Sequence, residues 1–134
     1  SARFGYRMNM AVPLGSEPDD KYLNWARNNG GNVMLTHDAE KAVDGVDCVV
    51  TDTWVSMNQE HRARGHNVFQ PFQVNGALMK HAKPDALFMH CLPAHRGEEV
   101  TDEVIDGAQS VVFDEAENRL HAQKSVLAWC LGAI

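Results

Sequence analysis

Three short apolar runs, each stopping abruptly against reactive or charged residues, constrain this chain most. Cys48-Val49-Val50 runs into Thr51-Asp52-Thr53-Trp54-Val55-Ser56-Met57, and residues 86–89 run into His90-Cys91-Leu92-Pro93. Val111-Val112-Phe113 runs into Asp114-Glu115-Ala116-Glu117-Asn118-Arg119. Apolar runs this short, bounded by turn and polar residues, read as buried strands, too brief for a helix of ordinary length. In an open α/β sheet, ligands bind in the crevice outside the carboxyl ends of the strands, so polar clusters at three such ends imply one shared site.

The remaining sequence alternates in the same way. Residues 7–12 and 32–35 read as strands, with further strands at 47–50, 86–89 and 110–113. Between them, Asp19 or Asp20 caps a helix reaching Asn28, with Tyr22, Leu23, Trp25 and Ala26 spaced for one buried face. Asp38 caps a short helix to Val43, residues 74–82 form another ended by Pro84, and residues 101–105 a further short one closed by Gly107. Leu120, Leu127, Leu131 and Ile134 mark one face of a long closing helix. Residues 59–67 are strongly polar and read as a helical lid or a surface loop. Strands alternating with helices over short connections predict an α/β fold: an open parallel sheet with helices on both faces, a Rossmann-like three-layer sandwich. At 134 residues this is a single domain, 1–134, with length enough for a real core.

A net charge of −6 and a pI near 5.5 argue against nucleic acid and anionic membrane as partners, since both are bound through basic patches. No apolar run approaches the roughly 20 residues that span a bilayer. Three cysteines without CxxC spacing read as reduced thiols, which makes a cytoplasmic setting the expectation.

Cys91 at a strand end is placed for partial exposure and for a pKa lowered by neighbouring cations or amides, although a free cysteine is more commonly a small buried hydrophobe. Cys48 and Cys130 take that ordinary reading, in a core strand and a core helix. His90 can serve as a base, as a metal ligand, or as a hydrogen-bonding partner of a neighbouring strand. With Cys91 and His95 it superficially suggests zinc. Adjacent strand residues point to opposite faces, however, and no fourth ligand has matching spacing, so no metal is expected. Asp52 needs a cation if desolvated, or else caps the following turn. Arg119 stands four residues after Glu115, either in a surface ion pair or as a planar fork for carbonyl or phosphate oxygens. Arg96 and the Glu98-Glu99 pair read as a solvated loop.

Asp52-Thr53-Trp54-Val55-Ser56-Met57, then His90-Cys91-Leu92-Pro93, then Glu117-Asn118-Arg119 ahead of a closing helix, resemble the ornithine-binding domain of the ornithine carbamoyltransferase family. The segment from Phe69 to Asn75 and the run from Arg96 to Asp106 carry the likeness across essentially the whole chain. The resemblance implies that Asp52, Ser56 and Met57 hold L-ornithine, the first two at its α-amino group and Met57 through its backbone. It implies that Cys91, Leu92, Arg119 and His90 bind carbamoyl phosphate. Cys91 as a thiolate coupled to Asp52 would accept the amine proton, while Arg119 and the Cys91-Leu92 backbone would stabilise charge on the carbamoyl oxygen. It implies no cofactor and a homo-oligomer, a trimer, built mainly through another domain. Residues 1–5 look like the last turn of a helix, so the expectation is a domain lacking its first strand and inactive without a carbamoyl-phosphate domain. Asn58 stands where the family motif has glycine. Relatives acting on N-acetylornithine, putrescine or aspartate, and a noncatalytic α/β binding module, are the alternatives; the lack of a G-x-G-x-x-G segment speaks against a dinucleotide domain.

Overall fold

The computed structural model describes residues 1–54 and 66–133. Its elements follow the expected alternation: β1 (Met8–Ala11), α1 (Asp20–Asn28), β2 (Val33–Thr36), α2 (Ala39–Val43), β3 (Cys48–Thr51), α3 (His66–Phe69), a 3₁₀ turn (Gln70–Phe72), α4 (Gly76–Met79), β4 (Leu87–His90), α5 (Asp102–Ile105) and α6 (Val112–Cys130). All strand pairing is parallel, as expected of an α/β fold. Among the described residues, though, the strands form two two-stranded sheets, β1 with β2 and β3 with β4, in place of one continuous sheet.

Several helix starts follow from side-chain caps. Asp19 accepts from the Lys21 amide at 2.8 Å, Asp38 from Lys41 at 3.1 Å and Asn75 from Leu78 at 3.0 Å, each satisfying an amide that the helix leaves without an internal partner. The expected helix over 74–82 is shorter because Val74 is taken into a parallel bridge with Val100. The expected strand at 110–113 is reduced to a bridge between Ser110 and Phe88. Phe88 donates to Gln109 and Val111 donates to Phe88, but the carbonyl of Val111 already accepts the Glu115 amide at 2.9 Å. Helical pairing therefore begins at once, helped by Asp114 and Glu115 at the positive end of the helix dipole.

The core lies on one face of β3 and β4. Val49 and Phe88 point into it and meet Val43 of α2, Leu78 and Met79 of α4, Val104 and Ile105 of α5, and Val112 at the start of α6. Strand alternation sends Cys48 and Val50 to the other face, where Val50 is 65% exposed. Among the described residues this other face is open at Val50 and Cys48, and Cys48 is exposed where a core position was expected. Cys130 is exposed as well, near the end of a helix that leaves the core after Val112. In α1 only Leu23 is buried, while Tyr22 and Trp25 are exposed.

Candidate active site

The register of β3 and β4 builds the site. Thr51 is paired with His90 at the ends of the two strands, so the next residue on each, Asp52 and Cys91, emerges side by side although 39 positions separate them. The Cys91 thiol donates to Oδ1 of Asp52 at 3.1 Å, and the same oxygen accepts the Thr53 amide at 2.7 Å. Both side chains are open to solvent. These hydrogen bonds, that from Cys91 foremost, hold the Asp52 carboxyl below its ordinary pKa. The converse applies to the thiol. Donating to a carboxylate, with partial burial and the Asp52 charge adding to it, pushes the Cys91 pKa up, opposite to the lowering expected at a strand end.

His90 faces the opposite way. It lies two positions after Phe88 on the same inward face and is fully buried. Its Nδ1 accepts the Leu92 amide at 2.9 Å, and its Nε2 lies 3.2 Å from Oε1 of Glu99. Oε1 of Glu99 also accepts the His95 amide at 2.6 Å. Glu99, expected in a solvated loop, is therefore buried completely; a Glu-Glu pair gave no sign of it, and the unpartnered ring of His90 was the signal that could have. Because the Leu92 amide is engaged by the ring, it is not free to act as a donor toward a carbamoyl oxygen. His95, Glu98 and Glu99 place donor atoms within 4.8 Å of one another and are a group that could hold a metal ion, with Oε1 of Glu99 already in use.

Arg119 lies in the second turn of α6 and is exposed; among the described residues no hydrogen bond or ion pair ties it to Asp52 or Cys91. Glu115, one turn earlier, reaches the site electrostatically and contributes to the raised Cys91 pKa, a role that sequence reasoning missed. Arg96 grips Asp106 through both guanidinium nitrogens, at 2.5 and 2.9 Å, and Asp102 at 2.9 Å, which pins the loop after Cys91. Ser56, Met57 and Asn58 lie outside the described residues.

A thiol, a carboxylate and a buried imidazole at the ends of adjacent parallel strands define a small-molecule site of the α/β class. The family profile described as "Aspartate/ornithine carbamoyltransferase, Asp/Orn binding domain" matches residues 1–130, and the chain belongs to that family. It is 87% identical over 134 residues to ornithine carbamoyltransferase of Rhizobium meliloti (strain 1021) and 81% identical to that of Agrobacterium fabrum (strain C58 / ATCC 33970). In both cases all of this chain aligns with 44% of the relative, so it spans under half the length of these curated relatives. The solved ornithine carbamoyltransferase from Pyrococcus furiosus is similar over 99% of this chain and 44% of its own, at 55% identity and a TM-score of 0.90.

Proposed function

We propose that this chain, as a single domain spanning 1–134, supplies the ornithine-binding half of an enzyme that transfers a carbamoyl group from carbamoyl phosphate to the side-chain amine of L-ornithine. The observation that carries the reading is the 3.1 Å contact between Cys91 and Asp52 at the paired ends of β3 and β4. Asp52, with Ser56 and Met57, holds the amino-acid end of ornithine. When the α-ammonium pairs with Asp52, it neutralises the charge that keeps the Cys91 thiol protonated, and the thiol loses its proton to solvent. The resulting thiolate takes a proton from the δ-ammonium, and the neutral amine attacks the carbamoyl carbon. The C–N bond forms, the carbon–oxygen bond to phosphate breaks, and phosphate leaves with the electron pair and the second amine proton. Arg119 steadies charge on the carbamoyl and phosphate oxygens, a role of about 10²–10³ in rate for one well-placed donor. His90 and Leu92 shape the loop that receives the carbamoyl group. No metal or cofactor takes part.

The setting that fits this activity is the cytoplasm, in arginine metabolism, within a homo-oligomer joined through the other half of the enzyme. The three unpaired cysteines and the acidic surface support it, and no helix among the described residues is long and apolar enough to cross a membrane.

A full-length protein carrying this chain should form citrulline from ornithine and carbamoyl phosphate. N-acetylornithine lacks the charged α-amine and leaves Asp52 unpaired, a loss of roughly 2–5 kcal/mol. Ornithine should therefore be preferred at least ~30-fold in kcat/KM over N-acetylornithine and over putrescine, and Asp52→Asn should shrink that preference. Equal use of either analogue by the wild type would sink the substrate assignment.

A further inference from the structure

Behind the exposed pair lies a fully buried one, and it does not touch the space in front of Cys91. His90 and Glu99 have no solvent exposure, so only partners inside the protein are open to them; Oε2 of Glu99 finds no hydrogen bond among the described residues, and the contacts run through Oε1. The Leu92 amide donates to Nδ1 of His90 at 2.9 Å, which requires a lone pair there and leaves the ring proton on Nε2. Nε2 then donates to Oε1 of Glu99 at 3.2 Å. Glu99 is itself anchored: its Oε1 takes the His95 amide at 2.6 Å and its backbone carbonyl takes the Val74 amide at 2.9 Å. The chain of contacts thus runs from the Val74–Val100 bridge through Glu99 and the His90 ring to the amide of Leu92. Leu92 sits at φ 49°, in the left-handed region that a residue bearing a Cβ occupies only when its surroundings hold it there.

We propose that Glu99 is a positioning residue for the reaction: through the His90 ring, with its proton fixed on Nε2, it holds the Cys91-Leu92 turn that sets Sγ of Cys91 against Asp52. The kinetic part of this inference rests on the carbamoyl-transfer reading; the tautomer part does not. Glu99 acts as a hydrogen-bond acceptor, and its charge is secondary. That distinction separates positioning from an electrostatic role, because glutamine keeps the Oε1 acceptor while methionine, of similar length, removes it.

Nitrogen-15 spectra of ring-labelled histidine in this protein should show the His90 ring proton on Nε2, with the lone pair on Nδ1. A ring proton on Nδ1 overturns the inference. In the full-length protein, Glu99→Gln should keep kcat within about threefold, whereas Glu99→Met should lower it by about 10²-fold with KM for the amine little changed, the size of loss expected from a misplacement of about 1 Å. Equal losses in both variants would assign the effect to charge and overturn positioning, as would an unchanged kcat in Glu99→Met. Should Glu99→Met fail to fold, the wild-type tautomer and the Glu99→Gln kinetics still decide. A full-length wild type that makes no citrulline would end the proposed function while leaving the His90 spectrum to judge this inference.

Discussion

The stretch from Val43 to Val112 and the helix that follows it treat apolar residues in opposite ways. In the first, Phe88, Val100 and Val112 are sealed almost completely and every member of the main core cluster falls between those bounds. In the second, Leu120, Val126, Leu127 and Trp129 are all exposed, Trp129 by 71%. Both carry many large hydrophobic side chains, so hydrophobicity alone does not decide which are buried. What decides is whether a second element faces the first: β3 and β4 have α2, α4 and α5 against them, whereas α6 meets β4 through its opening residues and then runs into solvent. The candidate site inherits this split, with His90 on the packed side, Asp52 and Cys91 exposed at the strand ends beside it, and Arg119 on the open helix.

The largest effect expected from that contrast is on stability. Phe88→Ala empties a fully buried position and should destabilise the protein by about 3–5 kcal/mol, from lost transfer energy and the cavity left behind. Leu127→Ala removes a side chain that is 62% exposed from a helix in which alanine is favoured, and should change stability by no more than about 0.5 kcal/mol. Urea denaturation of both variants checks the pair. Comparable losses would mean that α6 is packed in solution and that the contrast is false.

How much of this was legible in the sequence follows the same line. The ends of β3 and β4 could be read because short apolar runs and abrupt polar residues are local signals, and the parallel register then brings Asp52 to Cys91 without further information. The family motifs added roles for those residues, with a thiolate at Cys91 in the reaction, but the raised pKa of the thiol depends on a carboxylate 39 positions away, which no local pattern reveals. The burial of Glu99 was hidden for a similar reason. An acidic pair beside Gly97 looks solvated, and only the three-dimensional position of the His90 ring explains why one of the two goes inside. The start of α6 was misread because Val111-Val112-Phe113 suits a strand by composition, while the hydrogen bond from Glu115 to Val111 commits the chain to a helix.

A smaller effect probes the exposed pair itself. If donation to Asp52 keeps Cys91 protonated, Asp52→Asn should bring the thiol pKa back down, since the amide retains an acceptor but not the charge. At about pH 8, near the ordinary thiol pKa, more thiolate means faster alkylation, and a rise of several-fold in the iodoacetamide rate is expected at Cys91. Cys130, on the open helix, should react at the same rate in both proteins. A slower or unchanged rate at Cys91, resolved by peptide mass spectrometry, would show that Asp52 does not govern that thiol.

The smallest effect concerns acid. Asp52 is held below its ordinary pKa of 3.8, with the Cys91 hydrogen bond the leading cause and the Thr53 amide next. A carboxyl with a lowered folded-state pKa contributes stability that is present in full above its unfolded value and is lost as pH falls through the folded value. Its contribution is therefore intact at neutral pH and fades below about pH 4. Because the side chain is largely exposed, solvent screening keeps this below about 1 kcal/mol. The stability difference between wild type and Asp52→Asn, measured by urea denaturation at a series of pH values, should be small near neutrality and close toward zero in acid. In a Cys91→Ala background the same difference should be smaller still at neutral pH, since the principal donor to Asp52 is gone. A difference that does not change with pH would mean that the carboxylate charge plays no part in holding the two strand ends together, and the contact between Cys91 and Asp52 would then be a matter of strand register alone.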